Sequence, residues 1–138
     1  MFLNMSKTDD RLSLHDCTAK KLKVKPKKLV FEFPDGIYHA GKVTGAARVT
    51  MKIQPLDDMV CYVYKVKPTK TIRKQWTMEK LSKKLAYGGC ELEFVECYTR
   101  SFGDISYRIY LCTLHRQDKP CLVECELRLT LRGIKYEW

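Results

Sequence analysis

Leu122-Val-Glu-Cys-Glu-Leu-Arg-Leu-Thr-Leu-Arg132 alternates without a break, with Val123, Cys125, Leu127, Leu129 and Leu131 on one side and Glu124, Glu126, Arg128, Thr130 and Arg132 on the other. Successive side chains of an extended chain point to opposite faces, so this stretch predicts a strand with one dry face and one wet face. A dry face needs a second layer to cover it, which selects an antiparallel β architecture.

Two runs upstream alternate in the same way, Glu91–Thr99 and Ile105–Leu114, joined to each other and to the last run by short polar connections containing Gly103 and Pro120. The three read as an antiparallel meander. Before them lies the one helical pattern. Thr77 is an N-cap, Glu79 suits the first turn, Met78, Leu81 and Leu85 share a face, and Lys80, Lys83 and Lys84 lie opposite. Trp76 stands where a hydrophobic staple onto Leu81 would start, and Gly88-Gly89 is a stop, so the helix is predicted over about 78–87.

Further toward the N-terminus, Met59–Val66 is apolar on both faces except at Lys65 and predicts a central strand covered on each side. Ala47–Gln54 sets Val49, Met51 and Ile53 against Arg48, Thr50 and Lys52, and Pro55-Leu-Asp-Asp58 reads as the next turn. Lys28–Phe33 runs into Pro34-Asp35-Gly36, a hairpin turn with a return strand expected at Ile37–Val43. Thr18–Lys25 places Leu22 and Val24 opposite Lys21, Lys23 and Lys25 and stops at Pro26. With no internal repeat and no linker, residues 1–138 read as a single domain. The fold expected is mainly β, an antiparallel two-layer sandwich or partly open barrel of about eight strands with one helix.

A composition of 45% apolar and 30% charged residues excludes a disordered or low-complexity chain. The first ten residues hold only two strongly apolar side chains after Met1, too few for the core of an export signal. The longest apolar stretch, Met59–Tyr64, is far below the ~20 residues of a spanning helix, so no membrane partner is expected. Seven cysteines, an odd number, read as free thiols of a cytoplasmic protein. Cys121 and Cys125, four apart in a strand, would lie roughly 13 Å from each other and cannot share a zinc ion. No metal or other cofactor is expected.

The formal net charge is +10, and it is uneven: residues 1–88 carry 19 Lys and Arg against 8 Asp and Glu, residues 89–138 carry 7 against 8. The densest run is Lys20-Lys-Leu-Lys-Val-Lys-Pro-Lys-Lys28. Lys65 and Lys67 extend it, with Lys70, Arg73 and Lys74 after them and Tyr62, Tyr64 and Trp76 nearby. Lys21, Lys23, Lys25, Lys27, Lys28, Lys65 and Lys67 are thus a candidate binding face for an anionic partner, nucleic acid or an acidic protein. The same lysines also suit a plainer role, keeping an outer sheet face soluble and its edge unpaired.

Catalytic signatures are sparse. Gly36-Ile-Tyr-His-Ala-Gly41-Lys42-Val43 matches a phosphate-binding loop except at its last position, where Val43 lacks the magnesium-holding hydroxyl, and the residues after it alternate as a strand. His15-Asp16-Cys17 sets three ligating or catalytic residue types in a row, with His39 and His115 elsewhere. His15 and Asp16 are therefore a candidate site, against the alternative of a turn that anchors the N-terminal segment. No G-x-S-x-G elbow, H-E-x-x-H pair or zinc knuckle occurs, and an enzyme would have to be assembled from scattered residues.

Leu14-His15-Asp16-Cys17, then a strand pair and Leu29-Val-Phe-Glu-Phe-Pro-Asp-Gly36, resembles the opening of small uncharacterised bacterial β-rich proteins, in which an L-H-D-[AC] motif precedes strand-rich halves ending in F-x-F-x-D-G. Some of these are similar to immunity-protein domains, which neutralise a toxin by binding it. The resemblance covers the first quarter of the chain and implies a β-sandwich-like fold; it assigns no functional residue. The function expected is a non-catalytic binding module for another protein, immunity-like, with a nucleic-acid-binding domain second and an enzyme of unrecognised type third. Oligomeric state is left open by the sequence.

Overall fold

The alternation at Leu122 does not stop at Arg132. In the computed structural model, which describes residues 2–5, 12–54 and 59–138, the last strand, β13, spans Leu122–Glu137. Its buried positions are odd-numbered through Leu131 and even-numbered from Ile134, so the strand changes phase at Arg132-Gly133 and turns a corner there. That corner organises the molecule. The first part of β13 pairs with β12 (Ile105–His115) on one edge and β9 (Val60–Lys67) on the other. Beyond the corner its partners are β1 (Phe2–Met5) and β8 (Ala47–Ile53).

Each half extends outward by antiparallel neighbours. From β12 the sheet continues to β11 (Glu91–Phe102) and then β3 (Cys17–Ala19), and from β9 to β10 (Lys70–Trp76). On the other half β8 is flanked by β5 (Lys28–Phe33) and then β4 (Lys21–Lys25). The two halves face each other across one core, where the Phe94 ring meets Phe31 at 5.3 Å, Phe33 at 5.5 Å and Tyr110 at 5.3 Å. The architecture is mainly β, antiparallel and two-layered, with one helix and no closed barrel among the described residues.

The helix α1 (Met78–Ala86) forms as its caps dictate: the Thr77 hydroxyl accepts from the Lys80 amide at 3.1 Å, and Met78, Leu81 and Leu85 are buried. It lies on β4, where the Ser82 hydroxyl donates to the Leu22 carbonyl. The Trp76 ring packs against the core, and Lys80 and Lys84 stand over its face.

Several expectations change. Among the described residues thirteen strands form instead of about eight. Thr18–Lys25 is two strands, β3 and β4, because the chain bends at Lys20, whose amide donates to the Glu32 carbonyl at 3.0 Å. Ile37–Val43 is not a return strand for Lys28–Phe33. The turn at Pro34-Asp35-Gly36 does form, with the Gly36 amide donating to the Phe33 carbonyl at 3.1 Å. At φ 91° Gly36 then directs the chain against Thr44, whose carbonyl would stand 2.3 Å from any Cβ at position 36. The excursion folds instead as β6 (Tyr38–His39) and β7 (Lys42–Val43), a small separate sheet with β2 (Leu12–Ser13).

β9 is central in pairing but covered on one face only. Cys61 and Val63 are buried, whereas Tyr62 and Tyr64 face outward, their rings and hydroxyls engaged by Arg73, Arg128 and Glu126. A phenol ring is large enough to read as core in a sequence yet tolerates a half-wet site. β10 escaped the periodicity reading because neither of its faces is buried. The turn expected at Pro55-Leu-Asp-Asp58 lies outside the described residues.

Candidate functional site

The β9–β10 hairpin overhangs the core, and its inner face changes chemistry where the core ends. Cys61 and Val63 are buried, and the next two residues on that face are Lys65 and Lys67. Across the ladder Ile72 pairs with Lys65 and Lys74 with Val63, so Lys74 shares this inner face. Below it lie α1 and the connection after β12. Together they enclose a cleft of about 170 Å³ in which Lys65, Lys74, Lys80, Lys84 and Arg116 surround Trp76. Among the described residues that line it, Asp118 is the one carboxylate.

Like charges held this close repel one another. Repulsion from Lys74, with a contact between the two ammonium groups, lowers the pKa of Lys65, and Arg116 and Lys67 add to it. Lys80 and Lys84 place their ammonium groups 5.0 and 5.9 Å from the Trp76 ring centre, within cation–π range. The cleft adjoins a wider depression of about 620 Å³ that shares Lys65 and Arg116 and runs to Lys119, Pro120 and Leu122. Beside it Val66 and Leu122 are exposed at 75% and 61%.

Of the candidate lysines, the structure brings Lys65 into this cleft and Lys67 into the adjoining depression. Lys21, Lys23, Lys25, Lys27 and Lys28 line neither. They are exposed on β4, in the turn after it and at the start of β5, Lys23 is 3.5 Å from Glu32, and Lys21 borders a separate open groove with Arg48, Glu137 and Trp138. One long basic run in the sequence is therefore divided between surfaces.

His15 and Asp16 occupy a tight turn before β3. Asp16 has φ 61°, its amide donates to the Phe94 carbonyl at 2.7 Å, and the Cys17 amide donates to the Leu14 carbonyl at 2.9 Å. His15 Nδ1 bonds the Val95 carbonyl and Nε2 lies 3.2 Å from Asp16 Oδ2. Val95 sits at a bulge, where the β11–β12 register shifts between Phe94 and Glu96. The Val95 carbonyl, then the Asp16 carboxylate, raise the pKa of His15. His39 instead stacks on Trp138 and His115 pairs with Glu93 at 2.8 Å. Among the described residues no group of three His, Cys, Asp or Glu side chains could hold a metal ion.

The element after Val43 is the strand β8, so the loop that resembles a phosphate binder does not open a helix. Sequence reasoning missed three members of the basic cleft: Lys80 and Lys84, which read only as the polar face of the helix, and Arg116, which stands alone in a polar connection. No helix among the described residues is long and apolar enough to cross a membrane. Compared with protein-family models, with curated proteins and with solved structures, the chain matches none.

Proposed function

We propose that this protein is a non-catalytic binding module that docks an acidic surface of another protein through the cleft around Trp76 and the depression beside it. The observation that carries this reading is the convergence of Lys65, Lys74, Lys80, Lys84 and Arg116 from several elements onto one concavity in which Asp118 is the carboxylate. Concentrated charge of one sign steers an oppositely charged partner and raises its association rate. Exposed Val66 and Leu122 flank the cations, an apolar complement that an interface with a protein can bury. The resemblance of Leu14–Gly36 to small uncharacterised bacterial β-rich proteins, some of them similar to immunity-protein domains, is compatible with a role in binding, and the free cysteines fit a reducing compartment such as the cytoplasm.

The same cations suit nucleic acid, but single-strand binding relies on aromatic faces open to bases, and Lys80 and Lys84 already cover the face of Trp76. Fluorescence anisotropy at physiological salt separates the two. A labelled acidic peptide bearing interspersed leucines is expected to bind, and Lys65→Gln, Lys74→Gln and Arg116→Gln combined should weaken it about tenfold or more. Single-stranded or duplex DNA binding more tightly than the peptide, with a steep salt dependence, would replace this reading with nucleic-acid binding.

A further inference from the structure

A second site lies at the opposite end of the β11–β12 ladder and does not depend on the docking face. The inner face of β12 carries Ser106, Arg108 and Tyr110, which pair with Leu131, Leu129 and Leu127 of β13. Arg108 is only 5% exposed. Its Nε donates to Ser106 Oγ at 3.1 Å and its Nη1 donates to the Tyr110 hydroxyl at 2.9 Å, with Tyr136 a second phenol within hydrogen-bond reach. Among the described residues no carboxylate pairs with it, whereas Arg48 holds Glu137 and Arg128 holds Glu126, each at 3.2 Å.

The charge state of this cluster is not in balance. Burial opposes the charge of Arg108, but a guanidinium titrates so far above neutral pH that it keeps its proton, and the hydroxyls of Ser106 and Tyr110 accept its N–H groups. Burial in turn raises the pKa of Tyr110, against the opposing effect of Arg108, so the phenol stays neutral. Among the described residues one buried positive charge is thus left among hydroxyls. Charges removed from water are stable when paired, and a lone one is costly.

Arg108 is not sealed in. It lies on the wall of a cavity of about 150 Å³ that is also lined by Tyr110, Tyr136 and Thr99 and by the apolar side chains of Leu12, Leu14 and Phe94. His15 also lines it, whereas the Glu96 carboxylate accepts from the Tyr98 hydroxyl at 3.0 Å on the face of β11 turned away from Arg108. The volume admits about five water-sized groups at ~30 Å³ each. A guanidinium takes a carboxylate through two parallel N–H donors, and the apolar wall suits a short hydrocarbon tail. The geometry points to a binding site for a small monocarboxylate, with its carboxylate on Arg108 and its tail against Leu12, Leu14 and Phe94.

Propionate is the probe. Titrated into the full-length protein at constant ionic strength with chloride as background, it should bind saturably with a Kd of about 1 mM or tighter and shift the Arg108 Nε–Hε resonance. Inorganic phosphate, which has no tail to bury against the apolar wall, should bind at least tenfold more weakly. Arg108→Met should abolish propionate binding while removing the lone charge. Should that variant fail to fold, Thr99→Trp, at an exposed position on the cavity wall, fills the space from outside and must abolish binding as well. Lys74→Gln with Arg116→Gln should leave propionate affinity unchanged. The proposal is overturned by an absence of saturable binding to the wild type, by binding that survives Thr99→Trp, by phosphate binding as tightly as propionate, or by loss of binding in the cleft variant.

Discussion

Two residues carry more of the structure than their place in the sequence announces. Phe94 touches Phe31, Phe33 and Tyr110 at once, joining the two half-sheets, so Phe94→Ala should cost about 3–5 kcal/mol in chemical denaturation, near the upper end for a single core truncation. His15 ties the turn before β3 to the bulge at Val95, and the same contact raises its pKa above the ordinary 6.5. A raised folded-state pKa means that the stabilisation is fully present below 6.5 and fades as pH rises through the folded value. Proton NMR should therefore give a His15 pKa above 6.5, and the stability difference between wild type and His15→Ala should shrink from about pH 5 to about pH 9. A gap that widens with pH would show that the ring is held in its neutral form.

Elements differ in how far local chemistry decides them. The Thr77 cap, the apolar face of α1 and the stop at Gly88-Gly89 all agree, and the helix spans Met78–Ala86 against a predicted 78–87. Thr77→Ala should cost about 1 kcal/mol through the lost bond to the Lys80 amide, and Leu85→Ala about 2–5 kcal/mol through the cavity left against the sheet. Loss of both without additivity, in thermal and urea unfolding, would indicate that the helix frays as a unit. The β6–β7 hairpin is a weaker element. Its two turn residues, Ala40 and Gly41, have φ 52° and 80°, the pair of left-handed conformations that favours Asn-Gly. Ala40→Asn should raise stability by about 0.5 kcal/mol or more, measurable as a shift in the urea midpoint.

Across the protein as a whole, the cysteines and the charge distribution have separate consequences. All seven cysteines are free, and only Cys97 and Cys121 are exposed. Cys61 and Cys125 approach to 3.7 Å in the core; that contact, then burial, raises the Cys125 pKa, and burial raises that of Cys112. A thiol reagent should therefore label two sites in the native protein and seven after denaturation without reductant, counted by mass spectrometry. Lys21→Gln, Lys23→Gln and Lys25→Gln together should alter solubility but leave acidic-peptide binding within about twofold, since these lysines lie outside the cleft around Trp76. Loss of binding equal to that of the cleft variant would move the docking face to β4.

The class of fold was legible in the residues alone, because alternation along Leu122–Arg132 and the runs before it is a local property that any covered sheet must read the same way. The helix α1 was legible for a similar reason, since caps and faces are written within a dozen residues. Lys65, Lys67, Lys74 and Trp76 likewise stood out as one basic and aromatic stretch. How these pieces meet depends on the folded chain. The corner in β13, the bend at Lys20 and the departure of Ile37–Val43 from its expected pairing arise from competition between distant strands for the same edges. Arg116 joins Lys65 and Lys74, and Arg108 is left buried beside Tyr110 and Tyr136, only once distant strands have come together. Alternation tells which side chains turn inward; only the path of the sheet settles whether the inside at that point is a packed core, as at Leu127, or a cavity, as at Arg108.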